Sequence, residues 1–252
     1  MAGVVAIVAW RARALTPGGA LAAFCIGGII FTVGGWPLCA VLFGFFLPSA
    51  LLSRVGRARK AALVDVGKHG PRDAWQVLAN GGVATLCALL SLRLGAPLLA
   101  ACAGAFAAAS ADTWGTELGT LAKGAPRSLL TGKPTAPGLS GGVTWQGSLA
   151  SIVGAGVVAE IAALVGIAAM LPVLAGGVAG AFADSLAGAA VQALRWCPQC
   201  QRSCETDPHV CGTSTTLQRG FARVGNDTVN LLATTVGALL AGILWASAPM
   251  VR

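Results

Sequence analysis

The sequence has no tyrosine, only two histidines and only nine acidic residues in 252. Charged residues make up 10% of it, where a soluble domain carries about a quarter. That shortage excludes an ordinary water-soluble globular domain. Without tyrosine, any aromatic belt at a membrane surface rests on the seven tryptophans. Both histidines, His69 and His209, fall in polar segments. An intramembrane serine hydrolase would need its base on a helix, so that class is excluded. "GLSGG" at 138–142 fits G-x-S-x-G in form only, because no strand precedes it. The loop around Lys133 lacks Walker A spacing. No D-G-x-x-A-R run is present, which argues against a transferase using CDP-linked substrates.

What is abundant is apolar and small. Hydrophobic residues reach 56%, glycine numbers 35, and the mean hydropathy is +0.76. Small residues let helices approach closely in lipid, where packing takes over from the hydrophobic effect. Apolar runs at 18–33, 37–52, 77–92, 97–112, 147–170, 172–192 and 226–247 are each about long enough to cross a bilayer. The segment "MAGVVAIVAW" is too short to span and has no signal-peptide pattern. The predicted fold is therefore all-α: a polytopic transmembrane helical bundle of about seven spans plus a short N-terminal helix. It forms one integral membrane domain over 1–252.

Threading these spans alternately sorts the cations. One side receives Arg11, Arg13, Arg54, Arg57, Arg59, Lys60, Lys68, Arg72, Lys123, Arg127, Lys133, Arg195, Arg202, Arg219 and Arg223; the other keeps Arg93 and Arg252. The rich side is predicted to be cytoplasmic. The net charge of +8 thus reflects topology, and no nucleic-acid partner is expected. Three longer connections, 53–76, 113–146 and 193–225, share that side. The opposite connections, "GGWP", "RLGAP" and "MLP", are minimal. Long loops gathered on one face point to function there.

An internal helix-pair repeat is suggested by "QVLANGGVATL" from Gln76 and "QGSLASIVGAG" from Gln146. The first leads to "GAFAAASADTWG", the second to "GAFADSLAG". Ala- and Gly-rich helices also match by chance.

Carboxylates in hydrocarbon cost at least about 2.5 kcal/mol on insertion scales. Asp112, Asp184 and Asp227 nonetheless fall at the inner ends of spans, in company suited to a hard cation. Asp112 is followed by Thr113, Thr116 and Glu117; Asp184 by Ser185; Asp227 lies between Asn226 and Thr228, with Asn230 beyond. Carboxylates with hydroxyl and amide oxygens suit Mg²⁺ held against substrate phosphates. Asp112, Glu117, Asp184 and Asp227 are the expected ligands. Helix capping is the alternative, strongest for Asn226–Asp227.

The 113–146 loop adds Lys123, Arg127 and Lys133, then Ser140, Gly141 and Gly142, then Gly147 and Ser148 at a helix start. Glycine-rich backbone ahead of a helix is a natural anion site. Lys133 is the expected catalytic cation. A second strip, Arg72, Gln76 and Asn80, faces phosphate or serves, with Trp75, as an interfacial anchor.

Four cysteines cluster in "CPQCQRSCETDPHVC": Cys197, Cys200, Cys204 and Cys211, with His209 among them. The four thiolates, or three with His209, would close a structural zinc site. That makes 193–225 a candidate zinc-binding insert. Reduced free thiols and redox or disulfide use are the alternatives.

"ASADTWGTELG", "GLSGGVTWQGSLAS", "AGAFADSLAGA", "CGT" and "NDTVNLL" together resemble a membrane family whose plant members include phytyl-phosphate kinase of the vitamin E pathway. That family is distantly similar to phytol kinase and dolichol kinase. The resemblance runs from about Leu15 to Leu240. It places Asp112 with Gly115 and Gly119, then Arg127 and Lys133, then Gly147 and Ser148 in the family's motif positions. It implies an Mg²⁺-dependent kinase that takes CTP or another nucleoside triphosphate and an isoprenoid monophosphate of phytyl or geranylgeranyl type. The product is the diphosphate, made at the cytoplasmic face of an inner or plasma membrane. The rival expectations are an isoprenoid alcohol kinase and a secondary transporter with midplane acids.

Overall fold

The computed structural model describes residues 2–56, 60 and 70–248. Arg57, Arg59, Lys68, His69 and Arg252 lie outside the described residues. Within them the apolar runs form seven helices: α1 (Ala2–Arg11), α2 (Pro17–Leu52), α3 (Ala74–Leu94), α4 (Ala96–Gly119), α5 (Trp145–Leu164), α6 (Met170–Ala190) and α7 (Asn226–Ser247). By length and composition, α2 to α7 are sufficient to cross a membrane.

Helix α2 is two arms. Gly35 sits at φ 59° and ψ −148°, a region that only glycine occupies cheaply. Gly95, between α3 and α4, adopts nearly the same geometry at φ 81° and ψ −161°. Both ends of α2 return to one place. The Thr16 N–H donates to the Arg72 carbonyl at 3.0 Å, and Ser53 Oγ donates to Glu117 Oε1 at 2.7 Å. Arg72 is in turn an electrostatic neighbour of Glu117. A straight 36-residue helix would hold its ends about 54 Å apart. The "GGWP" turn therefore closes a helical hairpin, and the bundle makes seven passes.

Three helices leaving the loop-bearing face start with a side-chain cap. Thr16 accepts from Gly19 N–H and Thr144 from Gly147 N–H. Asp73 and Gln76 form a reciprocal capping box. Helix α7 differs: its N-cap is Gly225, with no side-chain cap. The capping expectation for Asn226–Asp227 is thus corrected, since both lie inside the first turn. "MLP" does not form an outer turn either. Met170 to Pro172 open α6, where proline's missing N–H costs nothing.

Helix α4 is the hub. Every residue from Ala100 to Ala111 is buried, and each other long helix touches it. Its small side chains allow this all-round burial. A Cβ on Gly180 of α6 would meet Ala108 Cβ on α4, and the Ala233 carbonyl on α7 at 2.7 Å. This contact sets the depth of three helices together. One turn nearer the loop face, Asp112, Asp184 and the first turn of α7 share a level. Gly180→Leu is expected to lose at least about 1–3 kcal/mol through overpacking, read as a lower melting temperature in detergent.

The two helix pairs α3–α4 and α5–α6 start on the same face, and each second helix carries its Asp about two turns before its end. The connections are more ordered than the all-α expectation. Arg127–Ser128 (β1) pairs with Gly142–Val143 (β2). Leu194–Cys197 (β3) lies between Arg202–Cys204 (β4) and Thr216–Arg219 (β5), both antiparallel to it. Strands of two to four residues carry too few alternations to show a period.

Candidate functional site

Asp112 and Asp184 meet. Their carboxyl groups are close enough to be direct electrostatic neighbours, with Thr116 beside Asp112. They come from equivalent turns of α4 and α6, the helices joined at Gly180. Two carboxylates in contact repel unless a proton or a cation lies between them. Asp184 Oδ1, Asn230 Oδ1 and Ser110 Oγ are all buried without a hydrogen-bond partner among the described residues. Such acceptors need an explanation, and their hard oxygens fit a small divalent cation. Asp227 stands at the same depth, but the electrostatic neighbours of Asp184 are Asp112 and Glu205. Of the three aspartates expected to converge, Asp112 and Asp184 are brought together as electrostatic neighbours.

Glu117 has a different job from the expected metal ligand. Ser53 takes its Oε1 at 2.7 Å, and Lys60 pairs with its Oε2. Both oxygens are committed to tying the end of α2 to α4.

Arg72 lies beside this cluster. Burial pushes its guanidinium below the usual arginine range, while Glu117 and Asp112 nearby oppose that shift. It makes no direct ion pair among the described residues. Its backbone bridges Ala14 and Thr16, which fixes the stem. Arg72 also lines a partly open apolar groove between α1, both arms of α2, and α3. Val5, Ile26, Leu42, Phe46 and Phe106 form its walls, and Arg72, Gln76 and Asn80 supply its polar lining. Gln76 is less available than expected, because its Oε1 accepts from Asp73 N–H. Asn80 Nδ2 donates to the Gln76 carbonyl.

The glycine-rich loop is not an open phosphate cradle. The Ser140 N–H donates to Glu205 Oε1 at 2.7 Å, and the Gly142 N–H to the Leu139 carbonyl at 3.1 Å. The Gly147 N–H is taken by the Thr144 cap. Gly141, at φ 79°, packs against Ala189, where a Cβ would collide. Gly115, Gly119 and Gly147 form a helix crossing: a Cβ on Gly147 would lie 2.9 Å from the Gly115 carbonyl and 3.2 Å from Gly119 Cα. These glycines serve packing rather than ligand contact. Lys123, Arg127 and Lys133 are exposed. Arg127 donates to the Gly132 carbonyl, and Lys123 and Lys133 make no ion pair among the described residues. Thr113 Oγ1 donates back to the Ala109 carbonyl. Ser148 is exposed and Ser185 half-buried.

Glu205 was not read from the sequence as a site residue. Its Oε2 accepts from Ser140 Oγ and from Gln192 Nε2, each at 3.0 Å. Burial raises its carboxyl above the usual range, against the bonds from Ser140. Arg219 lies close by and donates to the Gly188 carbonyl. Its position within the cysteine run gave no signal, because Ser140 is 65 residues away. Lys60 was read only as a positive-inside charge.

In the 193–225 insert, Cys197, Cys200, His209 and Cys211 place one ligand atom each within 4.8 Å of the others. Cys204 stands apart, its Sγ 3.7 Å from the Thr206 carbonyl. The structure thus gathers three cysteines and the histidine rather than four cysteines.

A family model described as integral membrane protein DUF92 matches residues 1–238. Protein PGR of Arabidopsis thaliana is 30% identical over 224 residues, covering 77% of this chain and 77% of that protein. An uncharacterized membrane protein of Methanocaldococcus jannaschii, MJ0933, is 29% identical over 247 residues, covering 97% of this chain and 91% of its own length. No solved structure matches the chain.

Proposed function

The chain belongs to the DUF92 family of integral membrane proteins, and from that premise we propose that it is a membrane-embedded isoprenoid phosphate kinase. The terminal phosphoryl group of a nucleoside triphosphate, CTP or another, passes to a phosphate oxygen of an isoprenoid monophosphate. The bond to the nucleoside diphosphate breaks, a new P–O bond forms, and the products are the nucleoside diphosphate and the isoprenoid diphosphate.

One observation carries this reading: Arg72 lines an apolar groove and is an electrostatic neighbour of Asp112, which in turn neighbours Asp184. The groove suits a greasy chain. Arg72 suits the phosphate at its end, by charge and by its planar donors. Asp112 and Asp184 would hold Mg²⁺, which when bound supplies neutralising charge to the phosphates. Phosphoryl transfer asks little covalent work of a protein beyond positioning and charge. Phosphate also favours itself as acceptor over an alcohol. With a second pKa of about 6, it arrives already anionic and needs no general base. His209 is in the cysteine cluster, far in role from these acids. A transporter would carry its acids near the midplane, whereas these lie toward the loop-bearing ends of α4 and α6, the face we assign to the cytoplasm.

The test uses purified protein in detergent with geranylgeranyl monophosphate, Mg²⁺ and each nucleoside triphosphate in turn. Geranylgeranyl diphosphate is expected by mass spectrometry with at least one donor. Its absence with every donor would overturn the assignment. Phosphorylation of geranylgeraniol but not of the monophosphate would make the protein an alcohol kinase.

A further inference from the structure

The cysteine cluster has the geometry of a closed metal site. Cys197 ends β3, and Cys200 N–H points back at Cys197 Sγ at 3.5 Å, the backbone-to-sulfur bond of a metal knuckle. Cys197 Sγ and Cys211 Sγ are 3.6 Å apart. A disulfide would need about 2.05 Å. Two thiolates each about 2.3 Å from a tetrahedral zinc would stand a little under 4 Å apart. His209 Nδ1 lies 3.0 Å from Cys211 Sγ, and the ring is 2% exposed. Three cysteine sulfurs and one histidine nitrogen are the donor set of a structural zinc site.

The position of this cluster gives it a consequence. Glu205 lies in the chain between Cys200 and His209, so it is tethered on both sides by the cluster. Its carboxylate clamps Ser140 through N–H and Oγ together. Ser140 and Gly141 pack on Gly188 and Ala189 at the end of α6, one to two turns beyond Asp184.

We infer that Cys197, Cys200, His209 and Cys211 bind one zinc ion, and that this ion holds Glu205 where it clamps the glycine-rich loop to α6. The zinc acts through Glu205, by fixing the loop against the end of α6. The inference does not depend on the kinase reading.

The test measures metal and loop order, not turnover. Full-length protein purified in detergent under reducing conditions is expected to contain about one zinc per chain. Cys197→Ser and Cys211→Ser should lose it, and Cys204→Ser should keep it. Exchange of zinc for Co²⁺ in the unaltered protein should give tetrahedral cobalt–thiolate absorption, which needs no variant to fold. Chelation should speed hydrogen exchange at the Ser140 amide by at least about tenfold, with the α5 amides still protected. Glu205→Gln should reproduce that exchange change while retaining zinc. Metal-free protein as purified that takes up no Co²⁺ would overturn the site, as would zinc loss on Cys204→Ser equal to that on Cys197→Ser. Unchanged exchange at Ser140 after zinc removal would overturn the positioning role.

Discussion

Asp112→Asn is expected to remain folded and to lose at least about 100-fold in phosphoryl transfer, the scale of removing one charge that serves the transition state. The variant isolates the carboxylate pair. With no cation present, the close approach of Asp112 and Asp184 costs either repulsion or the uptake of a proton, and the neutral amide removes that cost. The apo variant should therefore melt no lower than the apo parent. Mg²⁺ should reverse that order. A ligand that binds only the folded state adds about 2.7 kcal/mol at a hundred times its dissociation constant. The parent should gain several degrees in melting temperature and the variant almost none. Asp184→Asn should behave the same way. Glu117→Gln should not, because its oxygens are bound to Ser53 and Lys60. It should lower stability and leave the Mg²⁺ effect in place. An Asp112→Asn protein that keeps full activity, or the full Mg²⁺ shift, would remove the pair from the site.

The second large effect is on the acceptor side. Arg72→Gln is expected to raise KM for the isoprenoid monophosphate by about 10- to 100-fold, the worth of one hydrogen bond to a charged group. The KM of the nucleotide should change much less. Arg72→Lys should recover only part of the loss, since a point charge lacks the guanidinium fork. Stability gives the control. Arg72 is desolvated and makes no direct ion pair among the described residues, so its removal should not lower the melting temperature. A purely structural arginine would do the opposite: melting would fall and KM would stay. That outcome would move the acceptor phosphate elsewhere.

Both predictions rest on a pairing between residues far apart in the chain. Asp112 and Asp184 could be singled out because acids in apolar runs are costly, and because each ends a similar segment of a repeat. Their contact, and the exclusion of Glu117 from it, could not be read that way. Glu117 is only five residues from Asp112, yet it turns to α2 and Lys60. The glycines misled for a related reason. "QGS" reads as a helix start suited to phosphate, whereas a Cβ at Gly147 would strike Gly115. A glycine needed for helix crossing and one needed for a ligand look identical in sequence.

By itself, then, the sequence determined the solvent and the scaffold. Hydropathy set the spans, Lys and Arg counts set the loop-bearing face, "GGWP" and "RLGAP" marked two tight corners, and soft ligands within one short run marked a candidate metal-binding segment. Each of these is a local sum or a short spacing, so it survives reading along the chain. Tertiary structure alone decided which acids become neighbours, that Arg72 lines the groove near Asp112 and Glu117, that Cys204 stands outside the cluster, and that Glu205 reaches Ser140. Those facts depend on where small side chains let helices cross, a relation between surfaces brought together from distant parts of the chain.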